Sequence, residues 1–175
     1  MMHGSPTYLA LLLSLLALAC APTRPAAPPE LPTTPIEIVA PAVPLDTPLL
    51  VRKGSFVRTR ANADALRLRF RRELEAARVF SSVLDAAPPD PAGVWDLILT
   101  AADYGEPNAY TFELQALIVQ GRDPVKSYVS KQSVRQTGRG QLTIGPTELG
   151  QLAERAIRDI VRQLAADTEQ LRTAR

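Results

Sequence analysis

The chain has almost none of the side chains on which common enzyme chemistry is built. It holds one cysteine, Cys20, and one histidine, His3. A single thiol cannot close a disulfide within the chain or assemble a cysteine-rich zinc site. The one imidazole, His3, stands ahead of the apolar stretch from Tyr8, and its loss with that stretch would leave no base for Ser-His-Asp or Cys-His catalysis. No serine stands three residues before a lysine, so the Ser-x-x-Lys arrangement is missing too. A long hydrophobic run is also missing. The apolar stretch from Tyr8 to Ala19 spans about a dozen residues, where a membrane-crossing helix needs ~20. Ahead of it, Met1 to Thr7 carries no Lys or Arg, and the whole chain has a formal net charge of only +2.

What is present begins at that apolar stretch. A short polar start, an apolar core and small residues at its end have the proportions of a signal peptide. The stretch closes on Leu16-Ala17-Leu18-Ala19-Cys20. This resembles the lipobox of bacterial lipoproteins, although Ala17 and Leu18 stand where Leu and then a small residue are commoner. The resemblance implies that Cys20 is acylated, that residues 1–19 are removed with His3, and that the protein is held to a membrane by lipid. Ala21 rather than Asp after the cysteine implies, by the same resemblance, the outer membrane and a periplasm-facing domain. Acylation also accounts for the lone cysteine, which must otherwise pair with another chain or stay free. Several acyl chains make such an anchor firm, where one alone is marginal. The alternative is a plain secretory signal cut after Ala19 or Ala21. A core helix is the least favoured alternative, because Pro22, Pro25, Pro28 and Pro29 stop any helix there.

From Ala21 to Pro48 nine residues are proline and few are charged. Such a tract favours extended polyproline-II structure at ~3.1 Å per residue and acts as a spacer. The expected organisation is a signal peptide at 1–19, a lipidated cysteine and proline-rich linker at 20–34, and a single domain at 35–175.

Charge is unevenly spread within that domain. Val51 to Phe80 carries nine basic residues against Asp64, Glu73 and Glu75, a local excess of +6. Arg67, Arg71 and Arg78 recur at helical spacing and flank an apolar face, which makes them the candidate interaction surface. An anionic lipid headgroup, an acidic protein or a polyanionic glycan would fit it; nucleic acid would not suit an exported protein. The other reading is a solvated helix face, with Glu73 pairing to Arg69, and Glu75 to Arg71 and Arg78.

Elements follow from periodicity. Ile36-Glu37-Ile38-Val39 and Leu49-Leu50-Val51 read as strands. Asn62 to Phe80 reads as a helix capped by Asn62 or Asp64, with Leu66, Phe70, Leu74 and Ala77 on one face. Val94 to Thr100 is an almost unbroken apolar strand, expected to be central and buried on both faces. Tyr110 to Gln120 alternates, with Tyr110, Phe112, Leu114, Ala116 and Ile118 facing one way. Gly121-Arg122-Asp123-Pro124 is a turn, and the more polar Val125 to Val134 completes a hairpin at a sheet edge. A loop with Gly138, Gly140 and Gly145 leads to a last helix opened by Pro146, with Leu149, Leu152, Ala153, Ala156, Ile157, Ile160, Val161 and Leu164 inward. On its outer side, Glu154 is spaced to pair with Arg158, and Arg155 with Asp159. The order strand-helix-strand-strand-strand-helix gives an α/β (α+β) domain, a mixed sheet of about four strands packed with two main helices.

Other side chains have two readings each. Trp95 and Tyr110 are interface anchors or core. Asp96, Asp103, Glu106 and Glu113 form the one set resembling an acid/base group, but a glycosidase needs two carboxylates at a fixed separation. The Thr137-Gly138-Arg139-Gly140 stretch reads as a flexible loop rather than an anion loop. No catalytic residue, metal ligand or cofactor is assigned.

The element order, with the step from Phe80 to Val83 into the sheet, resembles a group of small periplasmic lipoproteins. These share the fold of the TolB N-terminal domain, CsgG, PelC, LpoB and the auxiliary lipoproteins of ABC-type transporters. The resemblance implies a non-enzymatic accessory or scaffold subunit of an envelope transport, secretion or assembly system, working with an envelope protein partner or as a homo-oligomer. A second implication is a regulator of a peptidoglycan-synthesising enzyme that uses the tether for reach. A third reading, from the carboxylates, is a glycan or lipid hydrolase.

Overall fold

A computed structural model describes residues 30–56, 59–136 and 142–173. Cys20, Gly138 and Gly140 lie outside the described residues. The chain runs through β1 (Leu49–Lys53), α1 (Ala63–Ala77), β2 (Val83–Leu84), β3 (Trp95–Glu106), β4 (Ala109–Gln120), β5 (Asp123–Arg135), α2 (Pro146–Ala166) and α3 (Thr168–Thr173). One five-stranded sheet has the order β2-β1-β3-β4-β5. β1 runs parallel to β2 and β3, and β3, β4 and β5 are antiparallel neighbours. The mixed α+β sandwich expected from element order is present, with β2 as a fifth strand of two residues.

Helix α1 starts where Asn62 accepts hydrogen bonds from the backbone N–H groups of Asp64 and Ala65, both 3.0 Å. Its inward stripe is Leu66, Phe70, Leu74 and Ala77, as the spacing requires. The helix stops three residues earlier than expected, because Arg78 turns left-handed at φ 52°. Val79 and Phe80 are then free to enter the core, and Phe80 bridges Leu45 in parallel. In α2 the whole expected apolar face is buried, joined by Ala165. Pro146 sits in the first turn, where its missing N–H costs nothing.

The helices bury one face of the sheet, while on the other face Leu50 of β1, beside Asp96, is also buried at 4% exposure. Trp95, Leu97, Leu99 and Ala101 of β3 face the helices, alongside Phe112, Leu114, Ala116 and Ile118 of β4. Strand β3 is central, as expected, but it alternates: Asp96, Ile98 and Thr100 on its other face are half-buried. It also runs six residues past Thr100 and turns through Pro107 and Asn108 directly into β4. The β4–β5 hairpin turns at Gly121 and Arg122, with Gly121 at φ 63°. Pro124 cannot donate to the ladder, and the register shifts at Ile118/Val119 opposite it, as edge strands permit.

The expected strand at residues 36–39 does not form. Ile36 and Ile38 are half-buried and Val39 is 74% exposed. Pro35 and Pro41 bracket the segment and supply no N–H by which a ladder could extend past it. Residues 30–34, assigned to the linker, touch the domain: Glu30 bridges Arg135 on the outer edge of β5, and Leu31 packs against the core.

Candidate interaction surface and internal clusters

The three arginines singled out by spacing have separate surroundings. Arg71 is paired with Glu75 at 3.1 Å and also with Asp85, which leaves it 19% exposed. Arg67 is half-buried within the helix. Arg78 is exposed, but it occupies the left-handed turn that ends α1. The pairing of Glu75 with Arg71 is as expected, whereas Arg69 reaches across to Glu154 of α2 at 2.6 Å.

The carboxylates do not converge. Asp96 is held by Arg52 at 2.7 Å and Glu113 by Lys131 at 3.0 Å. Glu113 stands opposite Ala102, six residues along β3 from Asp96. At ~3.4 Å per residue that is a separation of about 20 Å, well beyond the ~9.5 Å upper limit for a glycosidase pair. Asp103 projects to the opposite, helix-covered side and is 6% exposed. There it accepts a short hydrogen bond from the Tyr110 hydroxyl and one from the Arg60 backbone N–H at 3.4 Å. The Arg60 guanidinium lies 5.1 Å from the Tyr110 ring centre and donates to the Ile144 carbonyl at 3.2 Å. Burial, then the bond to Asp103, raises the Tyr110 phenol above its ordinary range. This cluster ties the β3–β4 end to the chain before α1 and to the approach to α2. Trp95 and Tyr110 are core residues, 1% and 7% exposed. Among the described residues no group of three or more His, Cys, Asp or Glu gathers as a metal-ligand set.

The surface that the sequence reading missed is the open sheet face. Ile98, Leu117 and Val119 are half-buried on it, and Tyr104 and Val129 are 51% and 41% exposed. Hydroxyl and amide groups lie between them, with Thr111 bonded to Ser133 at 2.8 Å and Gln115 to Ser127 at 2.9 Å. Such cross-strand pairs stiffen the face without covering it. At the β1 side, the loop at residues 87–92 rises over Leu50 and Arg52 and leaves a basin of about 500 Å³. The signal for this face was legible: Thr111, Glu113 and Gln115 alternate with the core residues of β4, and β3 must share their exposure as its neighbour.

Further hollows lie on the helical side, and two of them are lined by α2. One, of about 220 Å³, lies between the N-terminal halves of α1 and α2, with a mostly apolar lining and Arg60 and Arg69 at its rim. The other, of about 330 Å³, lies where residues 31–36 cross α2.

No protein-family model matches the chain, and no curated protein matches it. Solved structures do. A Xanthomonas campestris protein of the family model DUF330 aligns with a TM-score of 0.51 at 16% identity, over 81% of this chain and 97% of that one. A PelC dodecamer from Paraburkholderia phytofirmans aligns at 0.47 and 12% identity, over 75% and 95%. A candidate lipoprotein from Caulobacter crescentus CB15 aligns at 0.38 and 14% identity, over 71% and 92%. At such identities a likeness speaks to fold alone. The chain shares with the DUF330 protein its arrangement of a mixed sheet backed by helices.

Proposed function

We propose that the protein is a lipid-anchored, non-enzymatic accessory or scaffold subunit of a cell-envelope transport, secretion or assembly system. In this reading acylated Cys20 holds it at the outer membrane, facing the periplasm. The observation that carries the reading is the open sheet face, with Tyr104 and Val129 exposed beside Ile98, Leu117 and Val119. Apolar and aromatic side chains ringed by hydroxyls and amides are what a protein partner covers. An envelope protein or a second copy of this chain is the occupant. The lipobox-like Leu16 to Cys20 supports the location, and the uncongregated carboxylates support the absence of hydrolytic chemistry.

The tether favours the scaffold reading over the peptidoglycan regulator. Nine residues separate Cys20 from Glu30, where the chain meets the domain, which makes ten residue steps. Fully extended they span at most about 35 Å, too little for a long reach across the periplasm.

The test is extraction of the full chain in mild detergent after crosslinking in cells, for wild type and Val129→Asp. Wild type should yield a specific envelope complex or a self-adduct, and the variant should lose it while melting at the wild-type temperature. Repeated recovery of a solitary monomer, or a variant that crosslinks as wild type does, would overturn the proposal.

A further inference from the structure

The outer face of α2 carries two arginines that helical spacing would neutralise and the tertiary structure does not. Glu154 could reach Arg158, and Arg155 could reach Asp159, each four residues apart. Instead Glu154 turns to Arg69 of α1 at 2.6 Å. Asp159 turns to Arg162, also at 2.6 Å, and accepts from Gln163 at 3.2 Å. Arg155 and Arg158 are thereby left without a carboxylate among the described residues.

Both arginines line the hollow of about 330 Å³ under the segment 31–36. Arg155 fixes that segment by donating through Nη1 to the Thr34 carbonyl at 2.6 Å. Its Nε is shut off from solvent with no hydrogen-bond acceptor among the described residues, and so is the Nε of Arg158. A buried donor without an acceptor costs free energy, and a guanidinium N–H more than a neutral one. The two guanidiniums therefore bring to the hollow positive charge and donors that no described residue matches. Guanidinium forks match phosphate oxygens in geometry and charge. Glu154, the acidic residue lining the hollow, is already held by Arg69 and opposes an anion the less for it.

We propose that this hollow is a binding site for a phosphate group, held by Arg155 and Arg158 beneath the docked segment. The site is independent of the open sheet face. Its ligand is either the phosphate of an anionic lipid headgroup or a soluble phosphate. The chain that forms its roof leads back to Cys20 within ten residues.

Calorimetry on detergent-extracted full-length protein at low salt separates these sources. One titrant is inorganic phosphate and the other is dihexanoyl phosphatidylglycerol below its micelle concentration. Wild type should bind at least one of them, and Arg158→Gln should bind about tenfold more weakly, the scale of a lost charge-assisted hydrogen bond. Arg122→Gln, which alters an exposed cation on the β4–β5 turn, should bind as wild type does. Lipid binding without phosphate binding assigns the site to headgroups, and phosphate binding of equal strength assigns it to the phosphate itself. No binding of either by wild type, or equal binding by Arg158→Gln, overturns the site. An equal loss in Arg122→Gln also overturns it, as general attraction to positive charge. Should Arg158→Gln fail to fold, Arg158→Lys serves instead: it keeps the charge, loses the fork, and should weaken binding severalfold.

Discussion

Gly54 is a residue whose importance cannot be seen in its own conformation. A Cβ there would lie 2.7 Å from Ile98 Cγ2 and 2.8 Å from the Leu99 carbonyl oxygen. The chain after β1 is pressed onto β3 at this point, with the Gly54 N–H bonded to Leu99 O at 2.7 Å. Gly54→Ala must push the two strands apart. It is expected to cost about 1–3 kcal/mol, read as a lower midpoint in urea unfolding with unchanged far-ultraviolet circular dichroism. Tyr128 gives a second residue-scale prediction. Burial, then the negative charge of Asp167, pushes its phenol far above its ordinary value of 10.0. The folded protein thus keeps a proton that the unfolded chain releases above about pH 10. Stability should hold below that pH and fall as pH rises beyond it. Tyr128→Phe should flatten the fall between pH 10 and 11.5, and a slope equal to that of wild type would show that Tyr128 is not its source.

At the scale of elements, periodicity located both main helices and the hairpin, because each buries one stripe against a single core. Boundaries were harder. Helix α1 was expected to reach Phe80, since nothing in Arg78-Val79-Phe80 breaks a helix by propensity. Burying Val79 and bridging Phe80 to Leu45 require the chain to leave the helical path, and Arg78 absorbs the turn. The start of α1 was legible, because Asn62 is a capping residue. Asn62→Ala should cost about 1 kcal/mol, and a Tm equal to that of wild type would show that neighbouring packing holds the end without it. The reading of β3 as buried on both faces rested on its run of apolar residues. Ile98 on its open face looks the same in sequence whether a helix or water lies above it.

For the whole molecule, the layered architecture assigns each surface its role. Among the described residues all three helices lie on one side, which leaves the other side of the sheet as the broad open surface on which the scaffold reading depends. The arginine stripe of α1, the sequence's candidate surface, is partly consumed within the fold: Arg71 is paired twice and Arg78 shapes a turn. The arginines of α2 follow the opposite course. They looked neutralised, and the approach of Arg69 draws Glu154 away from them. Residues 30–34, expected to belong to a linker, instead find apolar and polar partners on β5, the core and α2.

The sequence by itself determined the fold class, the inward faces of α1, α2 and β4, and the scarcity of thiol and imidazole. These follow from local patterns, since a stripe at helical or strand period has one way to hide its apolar atoms. Only the tertiary structure decided which side of the sheet stays open, which carboxylate each arginine meets, and where the proline-rich chain comes to rest. Those outcomes depend on groups brought together from distant positions, such as Arg69 with Glu154 and Thr34 with Arg155. Competition among such partners has no signature in local spacing.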